Sequence, residues 1–175
     1  MGFSIVAMQP DDWPAVEAIY REGIATGNAT FGTSSPGWER WNASHHPHSR
    51  LVARAENSVV AWAALSPVSS RQVYAGIAEI SIYVAAAARG RGHGKTLLLS
   101  LIEQSERNGI WTLQAGIFLE NDPSIALHKS CGFREVGQRE KIGQLDNSWR
   151  NVVLLERRST LTGLKMRIVP HRKYK

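Results

Sequence analysis

Residues Ile77 to Ile102 change their hydrophobic period midway, and no other feature constrains the fold as tightly. Ala78, Ile80, Ile82 and Val84 alternate with Glu79, Ser81 and Tyr83, the period-two pattern of a strand. Leu98, Leu101 and Ile102 then share one face of a helix. Arg89-Gly90-Arg91-Gly92-His93-Gly94 joins the two. A strand feeding a glycine-rich turn that opens a helix is a place to bind phosphate. The helix N-terminus offers unpaired N–H groups and a positive dipole end, and glycines let an anion approach the backbone.

Spacing separates the phosphate-binding turns that compete for this stretch. A P-loop ending in Gly94-Lys95-Thr96 needs its first glycine at position 89, which is Arg89. A dinucleotide fingerprint begun at Gly90 needs a small residue where Lys95 stands, and one begun at Gly92 needs it where Leu97 stands. Arg89-x-x-Gly92-x-Gly94 fits neither. On this loop alone, an ordinary glycine-rich strand-to-helix turn is an equal reading. A second segment, Asn121-x-x-Ser124-x-x-Leu127-His128-Lys129-x-x-Gly132-Phe133, has the cap, first-turn Pro123 and terminal glycine of a short helix.

The rest of the chain reads as one domain over residues 1–158 followed by a basic tail, 159–175. Ser4 to Met8 is an opening strand. Asp11 or Asp12 caps a helix with Val16, Ile19, Tyr20 and Ile24 on its apolar face. The loop around Asn28-Ala29-Thr30-Phe31 precedes a short helix, Trp38 to Ser44. Leu51–Ala55 and Val59–Leu65 are strands joined by a tight turn. Ser66 to Gly76 is a polar loop, Trp111–Phe118 the next strand, and two strands near Glu135–Lys141 and Trp149–Glu156 flank a turn at Gly143 to Asn147.

Composition excludes more than it assigns. The single Cys131 rules out an intramolecular disulfide framework. His45, His46 and His48 surround Pro47 without neighbouring cysteine or carboxylate ligands, so no metal is expected. No apolar run approaches a membrane span and no signal peptide is evident, which points to a cytoplasmic protein. The formal charge of +6 belongs to the C-terminal end, because residues 1–156 hold 14 basic and 15 acidic side chains and 157–175 hold seven basic and no acidic ones. Nucleic acid is therefore not an expected partner.

The two segments together, in this order, resemble the cofactor-binding motifs of the GNAT superfamily of N-acetyltransferases. Glu79-x-Ser81-x-Tyr83-Val84, Asn121-Asp122-Pro123-Ser124-Ile125, Asn147-Ser148-Trp149 and the Asn28–Phe31 loop resemble its phosphinothricin and methionine sulfoximine acetyltransferases in particular. The resemblance implies an α/β (α+β) fold: a mixed, splayed sheet of roughly six to seven strands flanked by about four helices, with coenzyme wedged between strands 4 and 5. It also implies acetyl transfer from acetyl-CoA to the α-amine of a small amino-acid-like substrate, and a homodimer.

Roles follow by the same resemblance. Glu79 is the expected general base, and His128, where many GNAT enzymes carry a tyrosine, either protonates the leaving thiolate or is structural. Gly90 to Lys95, including His93 and Gly94, cradle the pyrophosphate, with Arg89 and Arg91 adding charge. Main-chain groups of Ile82, Tyr83 and Val84 pair with the pantetheine arm, Asn121 and Ser124 bond it, and Lys129 meets a phosphate. Arg71 is the expected partner of the substrate carboxylate, with Tyr74, Thr30 and Phe31 as pocket walls. Cys131 reads as packed, which favours direct transfer over a cysteine-linked intermediate. Acetylation of a protein N-terminus or polyamine, or a non-catalytic acyl-CoA-binding module, are the alternatives.

Overall fold

The structure is a computed structural model describing residues 2–163; the basic tail beyond 163 lies outside the described residues. In chain order it comprises β1 (Phe3–Ala7), α1 (Trp13–Ala25), α2 (Trp38–Ser44), β2 (Leu51–Ala55), β3 (Ser58–Pro67), β4 (Ile77–Val84), α3 (His93–Arg107), β5 (Thr112–Phe118), α4 (Asp122–Ser130), β6 (Arg134–Leu145) and β7 (Ser148–Arg158). The seven strands form one sheet in the order β1-β2-β3-β4-β5-β7-β6. Every neighbouring pair is antiparallel except β4 and β5. The expected mixed sheet with four helices is present.

Two cores hold the layers together. On one face, α3 buries Leu97, Leu98, Leu101 and Ile102 against Ala61, Ala63, Ala78 and Ile80. The alanines let the helix lie close to the sheet, and each leucine so buried contributes about 1.5–3 kcal/mol relative to exposure. On the other face, Val16 and Ile19 of α1 and Trp41 of α2 cover Val52, Trp62 and Ala64. Trp62 stacks on Tyr83, with ring centroids 4.9 Å apart, and so carries this second core up to β4.

Three local details differ from the sequence reading. Asp12 stands at the head of α1, but its carboxylate accepts from the Gln9 N–H at 2.9 Å and pairs with Arg54 instead of capping the helix. β3 runs on to Pro67, and the polar loop after it contains a 3-10 turn at Gln72–Tyr74. β6 continues past Lys141 to Leu145 through a bulge. There Lys141 takes a φ of 47°, and the Asn151 side chain accepts its N–H at 2.8 Å, so pairing resumes at Gly143.

The feature that positions the site is a short ladder. β4 and β5 pair only at Ile77–Thr112, Ala78–Leu113 and Glu79–Gln114. Beyond those rungs β4 stays with β3 and β5 stays with β7, so the two strands part. Their facing backbone groups beyond Glu79 and Gln114 have no strand partner across the opening, a hydrogen-bonding edge that a bound group can satisfy.

Candidate active site

Two cavities meet in that opening. One, of about 490 Å³, runs from the glycine-rich turn along β4. The other, of about 260 Å³, lies between Glu79, Phe31 and Phe118. Ala29, Ile82, Tyr83, Asn121 and Ser124 line both, so one opens into the other.

The larger cavity is built for a polyanion at one end. Gly90 and Gly92 take φ values of 74° and 84°, and nothing lies within 4 Å of where their Cβ atoms would be. Gly92 is the N-cap of α3. The turn therefore presents open backbone at a helix N-terminus. Arg89 and Lys95 line the cavity and are exposed. Arg89 donates from Nε to the Val84 carbonyl at 3.2 Å, and Gly94 packs α3 against Val84 and Leu127.

α4 closes the other side. Asn121 caps it, accepting the Ser124 N–H at 3.3 Å, while its amide donates to the Asn28 carbonyl at 2.9 Å. That places Ser124 and His128 on the helix turns facing the cleft. His128 is 2% exposed, and its Nδ1 lies 2.8 Å from the Ser124 carbonyl. A carbonyl only accepts, so Nδ1 carries the proton and Nε2 presents a bare lone pair. Nε2 is buried and has no hydrogen-bond partner among the described residues. Burial pushes the imidazole pKa below its ordinary value, outweighing the opposing bond to Ser124, and the ring is neutral at pH 7.

Among the described residues Glu79 is the one carboxylate lining the smaller cavity. Glu79 is exposed, and its Oε2 accepts from Gln114 Nε2 at 3.0 Å. Tyr83, four residues further along the same strand, is enclosed by Trp62, Tyr20 and Gly23. Burial, and then the adjacent Tyr20 phenol, raise its pKa far above the usual phenol value despite a hydrogen bond with Thr30. It stays a neutral phenol. Phe31 meets Phe118 edge-on at 4.7 Å to complete the wall.

Most of the residues expected from the sequence come together here. Ile82, Tyr83, Val84, Arg89, Gly90, Gly92, His93, Gly94, Lys95, Asn121 and Ser124 line the larger cavity. Glu79, His128, Thr30 and Phe31 line the smaller. His93 also packs its ring edge-on against Phe3 at 4.4 Å. Four expected residues stand elsewhere. Lys129 faces away on α4 and bonds Glu135 at 3.1 Å, because one helical step from buried His128 turns it outward. Arg91 sits exposed on the turn outside the lining. Arg71 and Tyr74 lie exposed on the 3-10 turn, the guanidinium 5.6 Å over its own neighbour's ring. Among the described residues neither Lys nor Arg lines the smaller cavity. Ser81, Gly116, Phe118 and Val152 are lining residues that sequence reasoning missed. Alternation along β5 could have found Gly116 and Phe118, which share the face of Gln114.

Comparison with known proteins agrees with this geometry. Residues 13–133 match the acetyltransferase (GNAT) family. The chain is 32% identical to phosphinothricin N-acetyltransferase of Alcaligenes faecalis, over 88% of this chain and 81% of that protein. Among solved structures, a GNAT superfamily phosphinothricin acetyltransferase of Sinorhizobium meliloti in complex with acetyl-CoA superposes with a TM-score of 0.83 at 26% identity, covering 97% and 95% of the two chains. A ribosomal-protein-alanine N-acetyltransferase of Brucella melitensis superposes equally well, TM-score 0.83, at 32% identity over 89% and 99%. A splayed sheet, an open glycine turn heading α3 and a carboxylate on the central strand thus coincide with matched sequence over most of the chain, which belongs to the GNAT family of acetyltransferases.

Proposed function

We propose that the protein transfers the acetyl group of acetyl-CoA directly to the α-amine of a small amino-acid-like acceptor of the phosphinothricin, methionine sulfoximine or methionine sulfone type. The observation that carries this reading is the junction of the two cavities: a channel suited to a phosphorylated arm ends where Glu79 faces a pocket of small-molecule size. The open turn and the unpaired β4 edge fit the coenzyme's pyrophosphate and amide arm, with Gly90 to Gly94, Asn121 and Ser124 as its holders. Acetyl-CoA supplies the activated thioester carbon.

Glu79 takes the first proton from the acceptor ammonium, freeing the nitrogen lone pair to form the N–C bond. A backbone N–H near Val84 holds the carbonyl oxygen as it becomes an oxyanion. With the proton of neutral His128 on Nδ1, Nε2 is free to accept a proton before it donates one. His128 accepts the second amine proton on Nε2 and hands it to sulfur as the C–S bond breaks. The step balances with one proton left on Glu79. Cys131 is buried at 6% exposure and lines neither cavity, in keeping with transfer without a cysteine intermediate.

Among the described residues Arg71 is in no salt bridge and lies over the Tyr74 ring, and it is the candidate to swing onto the acceptor carboxylate. The protein acts in the cytoplasm as a homodimer in this reading. Among the described residues no helix is long and apolar enough to cross a membrane. A protein N-terminus is the second acceptor, because among the described residues no Lys or Arg lines the smaller cavity. Free-thiol release from acetyl-CoA, measured with phosphinothricin, methionine sulfoximine, methionine sulfone, spermidine and an N-terminal peptide, decides between them. Turnover with the amino-acid analogues supports the proposal; turnover confined to peptide or polyamine overturns the acceptor assignment.

A further inference from the structure

The loop that walls both cavities is gripped from outside the site by one side chain. Asn28 borders the larger cavity, Thr30 and Phe31 the smaller, and Ala29 both. Arg150, on β7, donates from Nη1 to the Gly27 carbonyl at 2.8 Å and from Nη2 to Asn28 Oδ1 at 2.7 Å. The same Nη2 reaches the Glu120 carboxylate at 3.1 Å, tying the loop to the β5–α4 turn. The guanidinium lies 4.1 Å from the centre of the Phe118 ring, and Phe118 holds Phe31 edge-on.

A second contact converges on the same place. Gly143, the cross-strand partner of Arg150, lies under the Phe31 ring, and a Cβ there would come within 2.8 Å of it. The hairpin thus fixes the loop twice: by charge through Arg150 and by the missing side chain at Gly143. Three acceptors and an aromatic face around one planar group suit Arg and not Lys, whose ammonium is a point charge.

We propose that Arg150 is a positioning and specificity-determining residue for the acceptor pocket: it holds the 27–31 loop so that Phe31 stands at a fixed distance from Glu79. The proposal rests on the acetyl-transfer reading above for its kinetic test only. Removing the guanidinium leaves the Gly27 carbonyl and Asn28 amide oxygen without their donor and frees Phe31.

The test compares Arg150→Ala, Arg150→Lys and Gly143→Ala with wild type, reading acceptor KM, kcat, direct acetyl-CoA affinity and amide hydrogen exchange. Arg150→Ala is expected to raise acceptor KM by about tenfold or more while shifting acetyl-CoA affinity by less than about threefold. Arg150→Lys is expected to recover part of that loss. Gly143→Ala, which removes no polar group, is expected to change the ratio of kcat/KM between a long and a short acceptor. Equal losses in acceptor KM, kcat and acetyl-CoA affinity, with Lys no better than Ala, would overturn the proposal by reducing Arg150 to a general structural contact. If wild type acetylates no acceptor in the panel, the functional reading fails by itself. Exchange then decides: faster exchange in Arg150→Ala confined to residues 27–32 and the hairpin supports the positioning role, and an unchanged loop refutes it.

Discussion

Gln114 donates its side-chain amide to Glu79 across the last rung of the β4–β5 ladder, Nε2 to Oε2 at 3.0 Å, at the point where the strands part. The bond orients the carboxylate while leaving its second oxygen free to face the smaller cavity. Glu79→Gln keeps the shape and removes the base. It is expected to lower kcat by about 10²–10⁴-fold with acetyl-CoA affinity preserved, as measured by thiol release and by direct titration. Unchanged turnover would remove Glu79 from the mechanism.

Four histidines give the stability a pH dependence. His128, His45, His46 and His48 all have folded pKa values below 6.5, burial being the first cause in each. A histidine so depressed is neutral in the folded state while the unfolded chain still takes up a proton. Full stability is therefore present above pH 6.5, and it is lost as pH falls through the folded values. Thermal melts from pH 7.5 down to 5 are expected to show a falling midpoint, and His128→Asn to flatten part of the slope. A midpoint independent of pH would contradict the burial of these rings.

Gly23 lies inside α1, where alanine would ordinarily add about 1 kcal/mol of helix stability. Here a Cβ would stand 2.7 Å from Cδ1 of Tyr83, a ring already wedged between Trp62 and Tyr20. Overpacking of that kind costs about 1–3 kcal/mol and wins. Gly23→Ala is expected to be destabilised in chemical denaturation and to bind acetyl-CoA more weakly, since Tyr83 lines that cavity.

Gly92 has open space but the wrong backbone for any other residue, with φ at 84°. Alanine there costs about 1–2 kcal/mol of strain or a rearranged turn. Gly92→Ala is expected to weaken acetyl-CoA binding severalfold while acceptor selectivity stays as in wild type. Calorimetric titration checks the first, and kcat/KM ratios across the panel check the second.

The strand and helix through Val84 and His93 were legible because period and glycine spacing are local properties, and β4 falls on Ile77–Val84 as read. A cap at Asn121 or Asp122 was legible for the same reason, and the structure gives it to Asn121. What escaped was set by tertiary geometry. Resemblance to the family motif assigns Lys129 a phosphate, yet it lies about 100° round the helix from His128 and bonds Glu135. Phe118 was read as a strand residue without its face, and Arg150 carries no local signal at all, since its partners lie at Gly27, Asn28 and Glu120. Asn151, which closes the bulge at Lys141, lengthened β6 by a contact that no period describes.

The three-rung ladder between β4 and β5 has a mechanical meaning. Four strands on one side and three on the other are each well braced, but the seam joining them is short. A molecule of this kind is stiff in its halves and compliant along one line. A group bound in the seam bridges β4 and β5, so the rigidity of the sheet is expected to rise with ligand occupancy.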